Sequence, residues 1–418
     1  MVLFINTNPG LSNNTFTNHT QTSVSPKYLK WAAWCLFNLL LVAIAGFIVR
    51  SKIIFPLSFI HQKNFLHGHS HFAFSGWVSA ALMAAIVAIV YPGGAGKHPT
   101  RLFNLQMIAS YGMLLSFPFM GYKLPSIFFS TVTILVSWIF TAVMWKPISQ
   151  LPATVSPWIR TALLLNVISS LGTFSLAYLM SSGSHSQELT IGSLYLFLHF
   201  QYNGWFLFCC AGLFFHLLEH NGRPIKKPTN ELIRRLLTIA VIPGFCLSVI
   251  WMKIPGWVYS MAVFAALMQL VALAIFLKAV KRVKFQSMTV ITKFCLLLSF
   301  AAVSLKFLLQ ALSCIPSLSL YAFGNRSLVI AFLHLVLLGF VSLFIVGYFL
   351  QTGLIKENRN TRIGIYIFSA GIFLNELILM LQGVGAIAYI AIPFANELLW
   401  VIALIMVSGV WMVNRRSA

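Results

Sequence analysis

Three histidines, His67, His69 and His71, occupy alternate positions in the stretch FLHGHSHFAFSGW, residues 65–77, at the opening of an otherwise apolar run. Two more, His199 in LHFQYNGW and His334 in FLHLVLLGF, have similar surroundings far along the chain. Neutral imidazole is a good ligand for iron, copper or zinc, and a ring buried in lipid without a metal needs a hydrogen-bond partner. A helix turns about 100° per residue, so His67 and His71 share one face and His69 points elsewhere. One or two of the three, not all, can face a common site.

The elements that carry these residues belong to a membrane. Hydrophobic residues are 59% of the 418 and charged residues 8%, and the mean hydropathy of +0.88 lies far outside the soluble range, so the chain reads as an integral membrane protein. The formal charge of +22 comes from basic residues scattered between apolar runs, which offer nucleic acid no continuous face. Six cysteines, Cys35, Cys209, Cys210, Cys246, Cys295 and Cys314, lie in or beside apolar runs with no CxxC or CxxCH spacing, which excludes a disulfide framework, a zinc finger and covalent haem attachment. No Walker motif is present, so the chain is not a P-loop ATPase.

A polar tail, residues 1–26, has no charged residue before Lys27 and lacks the pattern of a cleavable signal; it is expected to be disordered. Residues 27–414 are expected to form one transmembrane domain. Its apolar runs, each long enough for the roughly 20 residues a bilayer needs, fall at about 27–49, 66–91, 103–121, 125–145, 158–181, 190–218, 233–253, 256–280, 288–312, 327–351, 363–383 and 387–413. The pattern predicts an all-α polytopic membrane protein of about twelve helices. Pro118 and Pro125 mark a short hairpin between the third and fourth; Pro243, Pro255 and Pro393 read as kinks or helix ends.

Basic residues set the expected orientation. The two termini and the loops after even-numbered helices hold 21 of the 28 Lys and Arg, among them Arg223, Lys226, Lys227, Arg234, Arg235, Lys281, Arg282 and Lys284. Both termini are therefore expected in the cytoplasm, in the cell inner membrane. The second, sixth and tenth helices then start on the outer side, and each carries a histidine soon after its start. His69, His216 and His220 also read as helix-packing hydrogen-bonders, and His19, His61, His98 and His185 as loop or tail residues.

Twelve spans with histidines on the second, sixth and tenth resemble subunit I of the haem-copper oxidase superfamily, which includes the cbb-type oxidases and nitric oxide reductases. Leu66, His67 and Gly76 resemble its low-spin haem segment, and His334 with Gly339 matches the second histidine of its HxH pair. His199, Gly204 and Trp205 resemble the segment that ligates copper or iron. The resemblance implies a b-type low-spin haem held by His67 and His334, copper as a further cofactor, quinol or a cytochrome c-type protein as electron partner, and, for an enzyme, oxidoreductase chemistry of the terminal oxidase or nitric oxide reductase type.

The departures from that pattern carry equal weight. Phe332 replaces the first histidine of the HxH pair, and the seventh helix has no histidine where the family completes its copper site. A six-coordinate haem alone has no open position for dioxygen, which implies electron transfer without oxygen reduction. The segment His69, His71 and Gly76 also resembles the second helix of degenerate membrane proteins of the nitric oxide response. That keeps His71 as a ligand, partnered with His199 at a second metal site. The alternative is a metal- or nitric-oxide-related sensor or a transporter on the same scaffold. Tyr202 and Asn203 flank His199, while Lys306, Glu376 and Glu397 are costly inside a membrane unless paired or wet; they suggest a proton path, or a Lys306–Glu376 pair. No internal repeat is evident.

Overall fold

The computed structural model describes residues 24–183, 186–283 and 285–415. Residues 1–23 of the expected tail, with His19, and also His185, Lys284 and Arg416, lie outside them. Among the described residues the chain is helical, without a strand. The long elements are α1 (Pro26–Ile54), α2 (Gln62–Val90), α3 (Lys97–Met120), α4 (Leu124–Ile148), α5 (Ser156–Ser181), α6 (residues 187–220) and α7 (Lys227–Val241). They continue as α8 (Gly256–Val280), α9 (Val290–Leu312), α10 (Arg326–Gln351), α11 (Arg359–Ile387) and α12 (Ala395–Asn414).

Ten of these helices are long and apolar enough to cross a membrane, and eleven if α7 is joined to the segment Pro243–Val249, from which it is bent by 53°. The expected seventh helix is thus a broken one: Pro243 has no N–H to continue the ladder, and its ring disrupts the turn before it. Helix α6 is continuous and of bilayer length, but its middle is polar, with His199, Gln201 and Asn203 all buried. A further short helix, Pro316–Gly324, precedes α10 where a loop was expected.

Local signals explain the boundaries. Proline occupies the first turn of α1, α4, α5 and α7, where its missing N–H costs nothing. Side-chain oxygens cap four helices: Ser186 accepts from the Leu189 N–H, Thr289 from Thr292, Asn325 from Ser327 and Leu328, and Asn358 from Thr361. Gly121, at φ +59°, makes the turn between α3 and α4.

Helices α2 and α10 are central, with 67% and 56% of their most apolar stretches buried, against 22% for the peripheral α4. Large apolar side chains cover the outside, Phe119, Leu124, Leu115 and Ile108 among them, as expected of a surface facing lipid. The chain closes on itself: Trp400 Nε1 donates to Ser51 Oγ at 2.9 Å and Asn414 Nδ2 to the Leu36 carbonyl at 3.0 Å, holding α12 against α1.

Candidate functional site

Aligned on their histidines, three helices carry one pattern. His71 is followed at the fifth and sixth positions by Gly76 and Trp77, His199 by Gly204 and Trp205, and His334 by Gly339 and Phe340. The three segments recur at four-helix intervals, which fits three pseudo-symmetric four-helix arcs. In each helix a single π-helical stretch follows the histidine: Ala73–Ser79 in α2, Phe200–Phe206 in α6 and Leu335–Ser342 in α10. Such stretches arise from one inserted residue and often accompany functional sites. The three are joined at one level, since Trp77 Nε1 donates to Ser342 Oγ at 2.8 Å and Trp205 Nε1 to Ser79 Oγ at 3.1 Å. The histidines of α2, α6 and α10 therefore lie toward the same end of the bundle.

On α2 the rings divide as helical geometry predicts. His67 and His71 face the turn between α3 and α4, where His67 packs edge-on to Tyr122 with ring centroids 4.8 Å apart and His71 Nε2 meets Tyr122 Oη at 3.0 Å. His69 turns to α1. Its Nδ1 donates to the Val42 carbonyl at 3.1 Å, and Cε1 is 3.3 Å from where a side chain on Gly46 would begin.

His67, the expected partner of His334, lies against Tyr122 at the turn between α3 and α4. The ionisable neighbours that act on the His334 ring are His69 and Arg50. Nδ1 of His334 bonds the Ile330 carbonyl at 3.0 Å. A carbonyl oxygen only accepts, so in both rings Nδ1 carries the proton and Nε2 keeps its lone pair. Neither Nε2 has a hydrogen-bond partner among the described residues. Anchoring one nitrogen to a main-chain oxygen while the other is bare is how proteins orient a ligand histidine.

His199 is arranged differently. It is wholly buried, its Nε2 donates to the Val241 carbonyl at 2.7 Å, and its Nδ1 accepts from Asn203 Nδ2 at 3.0 Å. Val241 stands at the end of α7, where the break at Pro243 releases its carbonyl from the helix ladder. Both nitrogens are occupied, and His71, expected as its partner at a second metal site, bonds Tyr122 Oη instead. Among the described residues no three His, Cys, Asp or Glu side chains converge.

Where the oxidase pattern has the first histidine of HxH, Phe332 packs edge-on to Tyr202 at 5.9 Å; Phe245, beyond the break in α7, packs against His199 at 6.1 Å. Lys306 of α9 enters the same region. Fully buried, it donates to Asn203 Oδ1 and to Gln310 Oε1, the latter at 2.7 Å, and its ammonium lies 4.2 Å from the Phe307 ring centroid. The expected pairing with Glu376 does not occur, since Glu376 accepts from Asn375 at 3.2 Å. Glu397 is exposed in the first turn of α12. The cluster Lys306, Asn203, His199 and Val241 thus links α9, α6 and α7 through neutral acceptors. Gln269 of α8 borders it, buried, with Oε1 unpartnered.

Compared with known proteins, the chain matches no family model, and no curated protein matches it.

Proposed function

We propose that the chain is a haem-binding membrane protein of the oxidase subunit I type, an electron carrier without a complete oxygen-reducing site. His69 and His334 are the residues that would hold the haem. The observation that supports this reading most directly is the matched state of the two rings: each holds its Nδ1 proton on a main-chain carbonyl and presents a bare Nε2. A haem held there would supply one-electron transfer. The protein's part is to fix the two tautomers and to hold α2 and α10 in register through the Trp77–Ser342 bond. The region of His199 supports no second redox centre, since Lys306 brings a cationic group and Phe332 and Phe245 stand where further ligands would be needed.

In this reading α6 and the bent α7 pair complete twelve spans, both termini are cytoplasmic, and the histidine end faces outward. The protein sits in the cell inner membrane, with quinol or a cytochrome c-type protein as electron partner. Optical spectra of the detergent-purified protein, oxidised and dithionite-reduced, test it. A low-spin b-type spectrum in the wild type, lost in His69→Ala and in His334→Ala, is the expected result. A wild type without haem after expression with haem supplied overturns it.

A second reading, a sensor or transporter, draws on the broken α7 and the buried Lys306. A helix interrupted beside a buried ionisable group is a common form of transport site. Uptake of a small solute by proteoliposomes, abolished in Lys306→Met, would favour it over electron transfer.

A further inference from the structure

His67 and His71 lie one helical turn apart on the face of α2 that the haem reading does not use, and a third polar group stands over them. The turn between α3 and α4 is fitted closely to α2 at two points. A Cβ on Gly68 would stand 3.0 Å from Pro118, and one on Gly121 would stand 2.8 Å from Asn64 Oδ1. Gly121 also has positive φ, so that turn cannot easily be remade with another residue. The fit holds Tyr122 across the His67–His71 face, its hydroxyl at 3.0 Å from His71 Nε2 and its ring at 4.8 Å from that of His67. His71 is fixed from its other side by stacking on Phe117 at 4.4 Å. His67 Nε2 is buried and has no hydrogen-bond partner. Tyr122 is 41% exposed, so the group opens to solvent at its rim.

Two imidazoles four residues apart on a helix are a chelating pair for divalent first-row metals, and a phenol oxygen completes a mixed nitrogen–oxygen set. The geometry points to a site for a divalent transition-metal ion, copper(II) or zinc(II), formed by His67, His71 and Tyr122 and separate from the His69–His334 pair. The ion takes the place of the proton shared by His71 and Tyr122, which leaves to water. The His67 ring turns about its side-chain bonds to bring Nε2 to the ion, and it gives up no hydrogen bond in doing so. Lys63, one turn before His67, acts on that ring and opposes the ion, as does Lys123 beside Tyr122; both are exposed, so solvent and salt screen them. Copper(II), the stronger binder to such donors, is the better probe.

The test uses the full-length protein in detergent, washed with chelator and titrated with copper(II) or zinc(II) against a competing chelator, with electron paramagnetic resonance for copper. One equivalent should bind, with coupling to two nitrogens. His67→Ala and His71→Ala should each weaken it at least about tenfold and Tyr122→Phe several-fold, on the scale of losing one donor from a small ligand set. His69→Ala, His334→Ala and the exposed control His98→Ala should bind as the wild type does. Thermal unfolding with and without metal, run on every variant, separates lost binding from lost folding: a folded His67→Gln that shows no metal-induced stabilisation supports the site. Unchanged affinity in folded His67 and His71 variants overturns it, as does equal loss in His69→Ala. Haem content is read on the same samples, so a wild type that binds copper without haem refutes the electron-carrier reading alone.

Discussion

The indole of Trp77 donates to the hydroxyl of Ser342 across 2.8 Å, and both residues are buried where the π-helical stretches of α2 and α10 meet. Ser342 in turn donates to the Leu337 carbonyl at 2.7 Å within its own helix. The bond therefore couples the register of one histidine-bearing helix to the other.

Trp77→Phe keeps most of the ring volume and removes that donor. Ser342 loses an incoming bond but keeps its own donation, so the cost should be at the lower end for a buried hydrogen bond, about 1 kcal/mol. Thermal unfolding in detergent should show a small fall in Tm. The haem spectrum should broaden, because α2 and α10 are no longer held in one register; an unchanged spectrum would show that the bond contributes to stability alone.

His67→Ala separates the two assignments on α2. It should leave the low-spin spectrum intact, while His69→Ala removes it. The reverse result would restore His67 as the ligand and show that α2 rotates when haem binds.

Ten of the spans, among them two of the three histidine-bearing helices, were legible in the sequence because hydropathy reports burial directly. Which way His67 and His69 face was not. Helical periodicity fixes the angle between the two rings but leaves the rotation of the whole helix free. That rotation is set by close approaches: Gly68 admits Pro118 of α3, which puts His67 and His71 on the α3 side, and Gly46 admits the His69 ring on the α1 side. The break in α7 was visible only as Pro243, and many prolines bend a helix less. The π-helical stretches leave no mark in composition, since one extra residue in a helix of more than twenty alters hydropathy and length too little to register. The spacing His71–Gly76–Trp77, repeated at His199 and His334, was the available signal.

Helices α11 and α12 cross with almost no space between their backbones. A Cβ on Gly409 would stand 2.6 Å from the Phe368 nitrogen, and one on Gly364 would stand 2.6 Å from the Gly409 carbonyl. Backbone cannot move aside as a flexible side chain can, so Gly409→Ala should force the pair apart. A loss of about 1–3 kcal/mol, as for other overpacked positions, should appear as a lower Tm. Gly222→Ala tests a different effect: its added Cβ meets nothing within 4 Å, and only its positive φ is strained.

Lys306 gives the most discriminating test of the polar cluster. Its ammonium is fully buried, and its hydrogen-bond partners, Asn203 and Gln310, are neutral. Taking an ammonium out of water costs several kcal/mol even after relaxation, and amide oxygens repay only part of that. Lys306→Met fills the same volume and removes the cation, at the expense of leaving two amide oxygens without their donor. The two effects oppose each other, and Met should be tolerated to within about 1 kcal/mol. Asn203→Leu acts on one side only: Lys306 and His199 both lose a partner while the ammonium remains. That change should cost about 1.5–3 kcal/mol, the scale of losing a buried hydrogen bond to a charged group. Adding Lys306→Met to Asn203→Leu should then recover much of the loss, because the stranded ammonium is gone. If the double variant unfolds no later than Asn203→Leu alone, the ammonium is not the source of the cost, and the Asn203–His199 bond is what holds α6 against α7.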